Sequence, residues 1–299
     1  MFSAISDVDA FVVLKACDIA GFRSIDTAPY YGHGLSETRI GAFLREATGE
    51  FVISTKVGRR LVPRDADAIP DHGFVDTPPV APIFDYSRDG VLRAFDDSLK
   101  RLRVDRVESL LLHDVGRLTH GSAHEGVLRQ AMDKALPAMA HLRETGCIQR
   151  IGVGVNEVEV VEALLPTGMI DVVLIAGRYT LLDQSAAALL DACAERGVAV
   201  LVGGVYNSGL LAGSSTFDYR PAEASLLARR DKLAAICARH GVPLAAVALA
   251  FPLRHRAVEQ VVVGLRTVKE VEATTEYLNA VIPDALWDEL DDFAGQPPC

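Results

Sequence analysis

Four side chains of this 299-residue sequence are of the types that move a proton on and off an oxygen. Asp26 and Tyr31 lie in IDTAPYYGHGLSE (Ile25–Glu37), Lys56 ends STK (Ser54–Lys56), and His113 lies in LLHD (Leu111–Asp114). A phenol with an ordinary pKa of about 10 is a poor acid–base catalyst near neutrality. A neighbouring lysine cation favours the phenolate and lowers that pKa. A carboxylate would hold the lysine as an ion pair, and a histidine could donate to a substrate oxygen and orient it. Such a set acts on a carbinol or carbonyl oxygen. No Ser or Cys lies in an elbow motif that would make it a nucleophile. Proton transfer alone does not complete a redox reaction, so a hydride carrier is implied. Each residue also has a plainer reading: a loop cap for Asp26, an exposed aromatic for Tyr31, a surface cation for Lys56, a buried pair for His113 and Asp114. Their placement at the ends of successive strands favours a shared site.

Those strands are short apolar runs rich in β-branched residues: Phe22–Asp26, Phe51–Thr55, Val107–His113, Ile148–Gly154, Asp171–Ala176, Val198–Gly204 and Gln260–Gly264. Helix patterns alternate with them near 7–20, 36–47, 88–102, 125–145, 156–165, 184–196, 222–240 and 267–280. This alternation predicts a parallel sheet, its strands apolar on both faces and covered outside by helices. Seven strands leave two architectures open, an open doubly wound sheet or a (β/α)8 barrel whose first strand is absent. Asn156, in GVGVN (Gly152–Asn156), adds a further polar group at a strand end. Residues 64–87, rich in Pro and Asp, read as one long loop, whose Phe74, Phe84 and Tyr86 either line the site or anchor the loop.

Composition narrows the partners. The chain is 49% hydrophobic and carries a net charge of −10, which argues against nucleic acid or an anionic membrane as the partner. No apolar run approaches the ~18 residues needed to cross a bilayer, and MFSAISDVDA lacks the features of a secretory leader. The five cysteines are scattered, with no CxxC, so neither a disulfide framework nor a zinc knuckle is expected and the setting reads as cytoplasmic. His113, Asp114 and His33 lack metal-ligand spacing, and no metal is expected.

IDTAPYYGHGLSE, STK, LLHD, GVGVN and VVVGLRTVKEVEATTEYL (Val261–Leu278) together resemble the aldo-keto reductase family, in order and over nearly the whole chain. The resemblance implies a single (β/α)8 TIM-barrel domain over residues 1–299 and NAD(P)-dependent oxidoreduction. It places the family's catalytic tetrad on Asp26, Tyr31, Lys56 and His113, with Tyr31 rather than Tyr30 as the acid–base group, and a nicotinamide contact on Asn156. GVGVNEVEVVEALL, AGRYTLLDQ and GGVYNSGLLAG are similar to a branch that includes L-fucose (D-threo-aldose) 1-dehydrogenases and pyridoxal 4-dehydrogenases. That branch implies oxidation of a cyclic hemiacetal to a lactone; competing readings are an NADPH-linked carbonyl reductase and a cofactor-binding redox sensor. Ala176 and Gly203 stand where the family commonly has a glutamine and a stacking aromatic, for which Tyr206 could substitute. Gly264 and Glu270 stand where NADP-preferring members have a lysine and an arginine. With Arg266 nearby, NAD is expected and NADP remains possible. The family's first strand, with its preceding hairpin, matches nothing in this sequence, and the barrel is expected to lack it. A small sugar or aldehyde substrate and a monomer or homodimer complete the expectation.

Overall fold

The computed structural model describes residues 4–65, 73–218 and 220–294. The chain forms two compact units, Met1–Leu174 with Leu265–Val268 and Ile175–Gly264 with Lys269–Cys299. In the first, the helix Asp7–Ile19 opens on Ser6, whose side chain accepts from the Asp9 N–H at 3.0 Å. Asp7 and Asp9 in its first turn suit the positive end of the helix.

The strands of the first unit are β1 (Ser24–Asp26), β2 (Val52–Val57), β3 (Arg59–Pro63), β4 (Val80–Phe84), β5 (Val107–His113), β6 (Ile148–Val155) and the beginning of β7 (Val172–Ala176). Their sheet runs β1-β2-β5-β6-β7, and the first three pairings are parallel. The register sets Asp26 beside Ser54, Lys56 beside Leu111 and His113 beside Gly154. Nearly every residue of β2, β5 and β6 is buried, as expected where helices cover the outer face of a barrel and side chains fill its interior. The helix Arg88–Leu102 shows how such a cover is built. Ser87 caps it by accepting from the Gly90 N–H at 3.0 Å, and Val91, Ala94, Phe95, Ser98 and Leu102 form its buried stripe.

Residues 64–87 depart from the expected loop. β4 lies within them and pairs antiparallel with β3, from Arg59 beside Phe84 to Pro63 beside Val80. Pro82 weakens the strand pattern because it has no N–H to give, yet a two-stranded ribbon leaves one side of each strand unpaired and tolerates it. Residues 66–72 of the expected loop lie outside the described residues. Gly58 turns the chain from β2 into β3 at φ +105°, and a Cβ there would sit 2.3 Å from Tyr86 Cε1. The helix expected over 125–145 also differs. It is divided into His124–Gln130, a π-helical turn at Ala131–Ala135, and Leu136–Glu144, because Pro137 has no N–H to continue the ladder.

The second unit holds β8 (Ala199–Gly203), the short pair β9 (Thr216–Phe217) and β10 (Arg220–Pro221), and β11 (Val258–Val262), which runs parallel to β8. Its helices include two that the alternation did not announce. Leu244–Ala250 is apolar all round and buried, so it shows no amphipathic period; Asp284–Ala294 follows the last strand–helix unit and buries Leu286 and Leu290. All seven expected parallel strands are present. Among the described residues no single helix is long and apolar enough to cross a membrane.

Replacing Gly58 by Ala combines a left-handed backbone with an overlap against Tyr86. It is expected to cost about 2–4 kcal/mol in urea unfolding. Gly146→Ala, at φ +77° with nothing within 4 Å of the added Cβ, should lose only about 1 kcal/mol. Equal losses would show that the Tyr86 contact does not constrain the turn.

Candidate active site

Asp26 is the last residue of β1, and its carboxylate is held from two sides. Lys56 Nζ donates to Oδ2 at 2.5 Å and Ser54 Oγ donates to Oδ1 at 2.5 Å. Lys56 also donates to the Thr27 carbonyl at 2.9 Å and is 1% exposed. It lies inside β2 rather than after it, one residue before the strand ends. Because side chains alternate along a strand, its neighbour Thr55 points the other way and donates to Glu37 Oε1 at 2.6 Å. Glu37 is fully buried and accepts from Arg101 Nε at 2.7 Å. Gly154 on β6 leaves room for the lysine stem: a Cβ there would lie 3.1 Å from Lys56 Cε.

Tyr31 follows β1 in the turn before the helix Leu35–Leu44. Gly32, His33 and Gly34 are all left-handed there, and the Ser36 N–H closes the turn onto the Tyr31 carbonyl at 3.3 Å. The Lys56 ammonium lies 4.9 Å from the Tyr31 ring centroid. His113, the last residue of β5, meets the same ring edge-on at 5.7 Å between centroids. The first unit thus brings Asp26, Tyr31, Lys56 and His113 together. Asn156 directly follows β6 in that unit and is half-buried.

The electrostatics differ from the expectation at one point. Burial pushes the Tyr31 phenol above its ordinary pKa; the Lys56 charge opposes this but does not outweigh it. The lysine therefore lowers the phenol relative to burial alone, not below an ordinary tyrosine. Burial also works against the Lys56 cation, yet Asp26 and Tyr31 hold its pKa above the usual lysine value. Burial, then the charges of Arg59 and Lys56, drive His113 well below the usual histidine value, so the imidazole is neutral at neutral pH.

One neighbour, Arg59, was not singled out in the sequence. Arg59, 6% exposed, donates through Nη1 to His113 Nδ1 at 3.2 Å and pairs through Nη2 with Asp114 Oδ2 at 3.0 Å. Its guanidinium lies 4.1 Å from the Tyr30 ring centroid and 5.2 Å from that of Phe84. The legible signal was VGRR (Val57–Arg60), which sets a cation immediately after an apolar strand and a glycine. Phe74 meets Tyr30 at 5.1 Å and His33 at 5.7 Å, which builds an aromatic cluster beside His113. Tyr86 is an anchor instead: it is 2% exposed and its hydroxyl donates to the His113 carbonyl at 3.0 Å.

In the second unit, Gly203 ends β8 and is buried, and its carbonyl accepts from the Gly177 N–H at 2.9 Å. Among the described residues, the Tyr206 hydroxyl and Asn207 Oδ1 in the following turn are buried without a hydrogen-bond partner. Burial holds the Tyr206 pKa at about 12. Gly264, Arg266 and Glu270 are exposed, and Glu270 occupies the first turn of the helix Val268–Leu278. Among the described residues, no three His, Cys, Asp or Glu side chains converge as a metal site requires.

With this geometry in hand, comparison with known proteins gives the class. The aldo/keto reductase family model matches residues 2–294, and the chain belongs to that family of oxidoreductases. It is 39% identical to a pyridoxal 4-dehydrogenase of Microbacterium luteolum and 38% identical to a D-threo-aldose 1-dehydrogenase of a Pseudomonas species. In both cases 97% of this chain and 89% of the relative are covered. Among solved structures, an aldo-keto reductase of Bacillus halodurans in its holo form superimposes with a TM-score of 0.75 at 21% identity, covering 97% of this chain and 88% of the other. A glycerol dehydrogenase of Gluconobacter oxydans also gives 0.75, at 20% identity over 97% and 86% of the two chains. The fold is therefore the (β/α)8 type of the aldo-keto reductases.

The Lys56–Asp26 pair predicts a stability asymmetry. Lys56→Met alone strands a buried carboxylate and should cost about 3–5 kcal/mol, whereas Asp26→Asn with Lys56→Met should recover part of that loss. A double variant no more stable than Lys56→Met in urea unfolding at pH 7 would show that the two groups are not coupled.

Proposed function

We propose that the chain is an NAD(P)-dependent dehydrogenase that oxidises a cyclic hemiacetal, such as C1 of an L-fucose-type or D-threo-aldose sugar, to a lactone. One observation carries this reading: a phenol, Tyr31, set over a buried ammonium, Lys56, whose charge is fixed by Asp26. The oxidation removes two groups from the hemiacetal. The hydroxyl proton passes to the Tyr31 oxygen, the C–H hydrogen leaves as hydride, and the electrons left behind close the lactone carbonyl. The nicotinamide supplies the hydride acceptor. Lys56 stabilises the phenolate that accepts the proton, Asp26 holds Lys56 in place, and neutral His113 donates to the reacting oxygen.

The residues available for a nicotinamide cofactor are consistent with this class. Asn156, directly after β6, is the amide we assign to the carboxamide. Among the described residues the Tyr206 hydroxyl, a donor and acceptor, and Asn207 Oδ1, an acceptor, are buried and unpartnered, groups of the kind a polar ligand satisfies. We assign Gly203 and Gly264 as positions where the absence of a side chain permits close approach. Glu270 sits at a helix N-terminus, where its carboxylate repels a 2′-phosphate but accepts from ribose hydroxyls; this supports NAD, with Arg266 as the cation that would favour NADP. A second reading, oxidation of pyridoxal at its 4-position, draws on the 39% relative and uses the same residues, because pyridoxal also closes to a hemiacetal.

Reduced nicotinamide should form when the purified protein receives NAD and one of L-fucose, D-arabinose or pyridoxal. The preferred compound separates the two readings. Inactivity toward all three, with NADPH-driven reduction of open-chain ketones, would overturn both in favour of a carbonyl reductase. Tyr31→Phe should lower kcat by about 10²–10⁴-fold. Because burial raises the Tyr31 pKa, oxidation needs a form of this group that is scarce at neutrality. The kcat/KM for oxidation should therefore rise as pH is raised from 7 toward 10, and reduction should fall over the same interval. A flat profile for oxidation would remove Tyr31 as the base.

A further inference from the structure

We propose that Arg59 is a positioning residue that holds His113 as the neutral tautomer with its proton on Nε2. A guanidinium has donors only, so the ring nitrogen that faces it at 3.2 Å, Nδ1, must be the acceptor. Nε2 lies 3.4 Å from Asp114 Oδ2. That contact is no hydrogen bond, so Arg59 alone selects the tautomer, and the nearby carboxylate agrees with a proton on Nε2. Arg59 draws on the same Asp114 oxygen at a shorter 3.0 Å. The long Nε2 contact is thus the weaker claim on that oxygen, and the Nε2 proton remains available to another acceptor. An imidazolium would need to donate from Nδ1 toward a cation, which the geometry forbids.

Arg59 is itself fixed. Its guanidinium packs against Tyr30 and Phe84, and its stem begins β3 directly after the Gly58 turn. Among the described residues, ionisable groups around His113 also include Lys56 on β2, Tyr30 and Tyr31 after β1, and Tyr86 with its partner His120 around the β5 end. Asp114 is left-handed at φ +50°, a conformation costly for a residue with a Cβ, and the Arg59 pair holds its side chain there. A lysine at position 59 would bring the charge without the planar fork that reaches both partners at once.

The inference rests on the proposed reaction only in giving the Nε2 proton a substrate oxygen to meet, and its test needs no turnover. In ¹⁵N-labelled protein, with His113→Asn used to assign the signal, His113 is expected as the neutral Nε2–H form at pH 7 and still neutral at pH 6. An Nδ1–H form or an imidazolium at pH 7 in the wild type would overturn the proposal outright. In Arg59→Met the signal should become a mixture of tautomers, and its pKa should rise toward the ordinary histidine value of about 6.5 yet stay below it, because burial and Lys56 remain. A signal unchanged from the wild type would overturn the role of Arg59. Should Arg59→Met not fold, Asp114→Asn tests the same arrangement, because it removes the partner that fixes the fork; an unshifted His113 signal there also counts against the proposal. Where turnover is measurable, Arg59→Met should lower kcat about tenfold to hundredfold and change KM much less. Complete absence of turnover in the wild type would overturn the reaction while leaving the tautomer result intact.

Discussion

The buried ammonium of Lys56 is the constraint around which the first unit is organised. A cation that is 1% exposed must be repaid with an opposite charge and with acceptors for its protons. The parallel register supplies both. Asp26 lies beside Ser54, two residues before Lys56 on the same face of β2, so the end of the very short β1 delivers its carboxylate to the ammonium. The chain continuing from β1 then gives the Thr27 carbonyl. On the opposite face, Thr55 ties the strand to Glu37 and through it to Arg101, which fixes β2 against two helices. The glycine at 154 is part of the same arrangement, since a side chain there would meet the lysine stem.

Two ion pairs and two neutral groups make up the site, and like charges do opposite things in it. Lys56 stands beside a phenol, whose charged form is an anion, and favours ionisation against the pressure of burial. Arg59 stands beside an imidazole, whose charged form is a cation, and opposes ionisation together with burial. One lysine and one arginine thus separate the two groups: the phenol is helped to lose its proton, and the imidazole is hindered from gaining one. Each cation has its own carboxylate, Asp26 or Asp114, so the pairs add no net charge.

Most of the parallel framework was legible because its signal is local. Each of the seven strands is a short apolar run between turn residues, and Asp26, Lys56 and His113 stand at or within one residue of strand ends, where an α/β architecture presents its functional groups. The elements that escaped did so for identifiable reasons. Pro82 hid β4 inside a stretch of Pro and Asp, and Pro137 turned one expected helix into two joined by a π-helical turn. Leu244–Ala250 is buried on every side and so carries no period. Arg59 was missed because nothing in VGRR states which of its two arginines turns inward; Arg60 instead reaches Asp85 at 3.4 Å. The net pKa of Tyr31 was misjudged because proximity to a lysine can be read from motifs, whereas burial is a property of the folded surroundings.

Two of these misses, β4 and Arg59, fall in one place. The strand ends provide Asp26, Tyr31, Lys56 and His113, the groups that any proton transfer to a carbinol oxygen would require. The β3–β4 ribbon and the residues flanking it add Arg59, Phe84, Phe74 and Tyr86, which pack on those groups without belonging to the parallel sheet. Such a ribbon is free of the register that binds the sheet, since its two strands pair only with each other. Its sequence can therefore change the surroundings of His113 and Tyr30 while leaving the Lys56–Asp26 pair untouched. Gly58 marks the border between the two regimes: on one side the chain obeys the burial demands of a parallel strand, and on the other it is shaped by contacts to a single histidine and its neighbours.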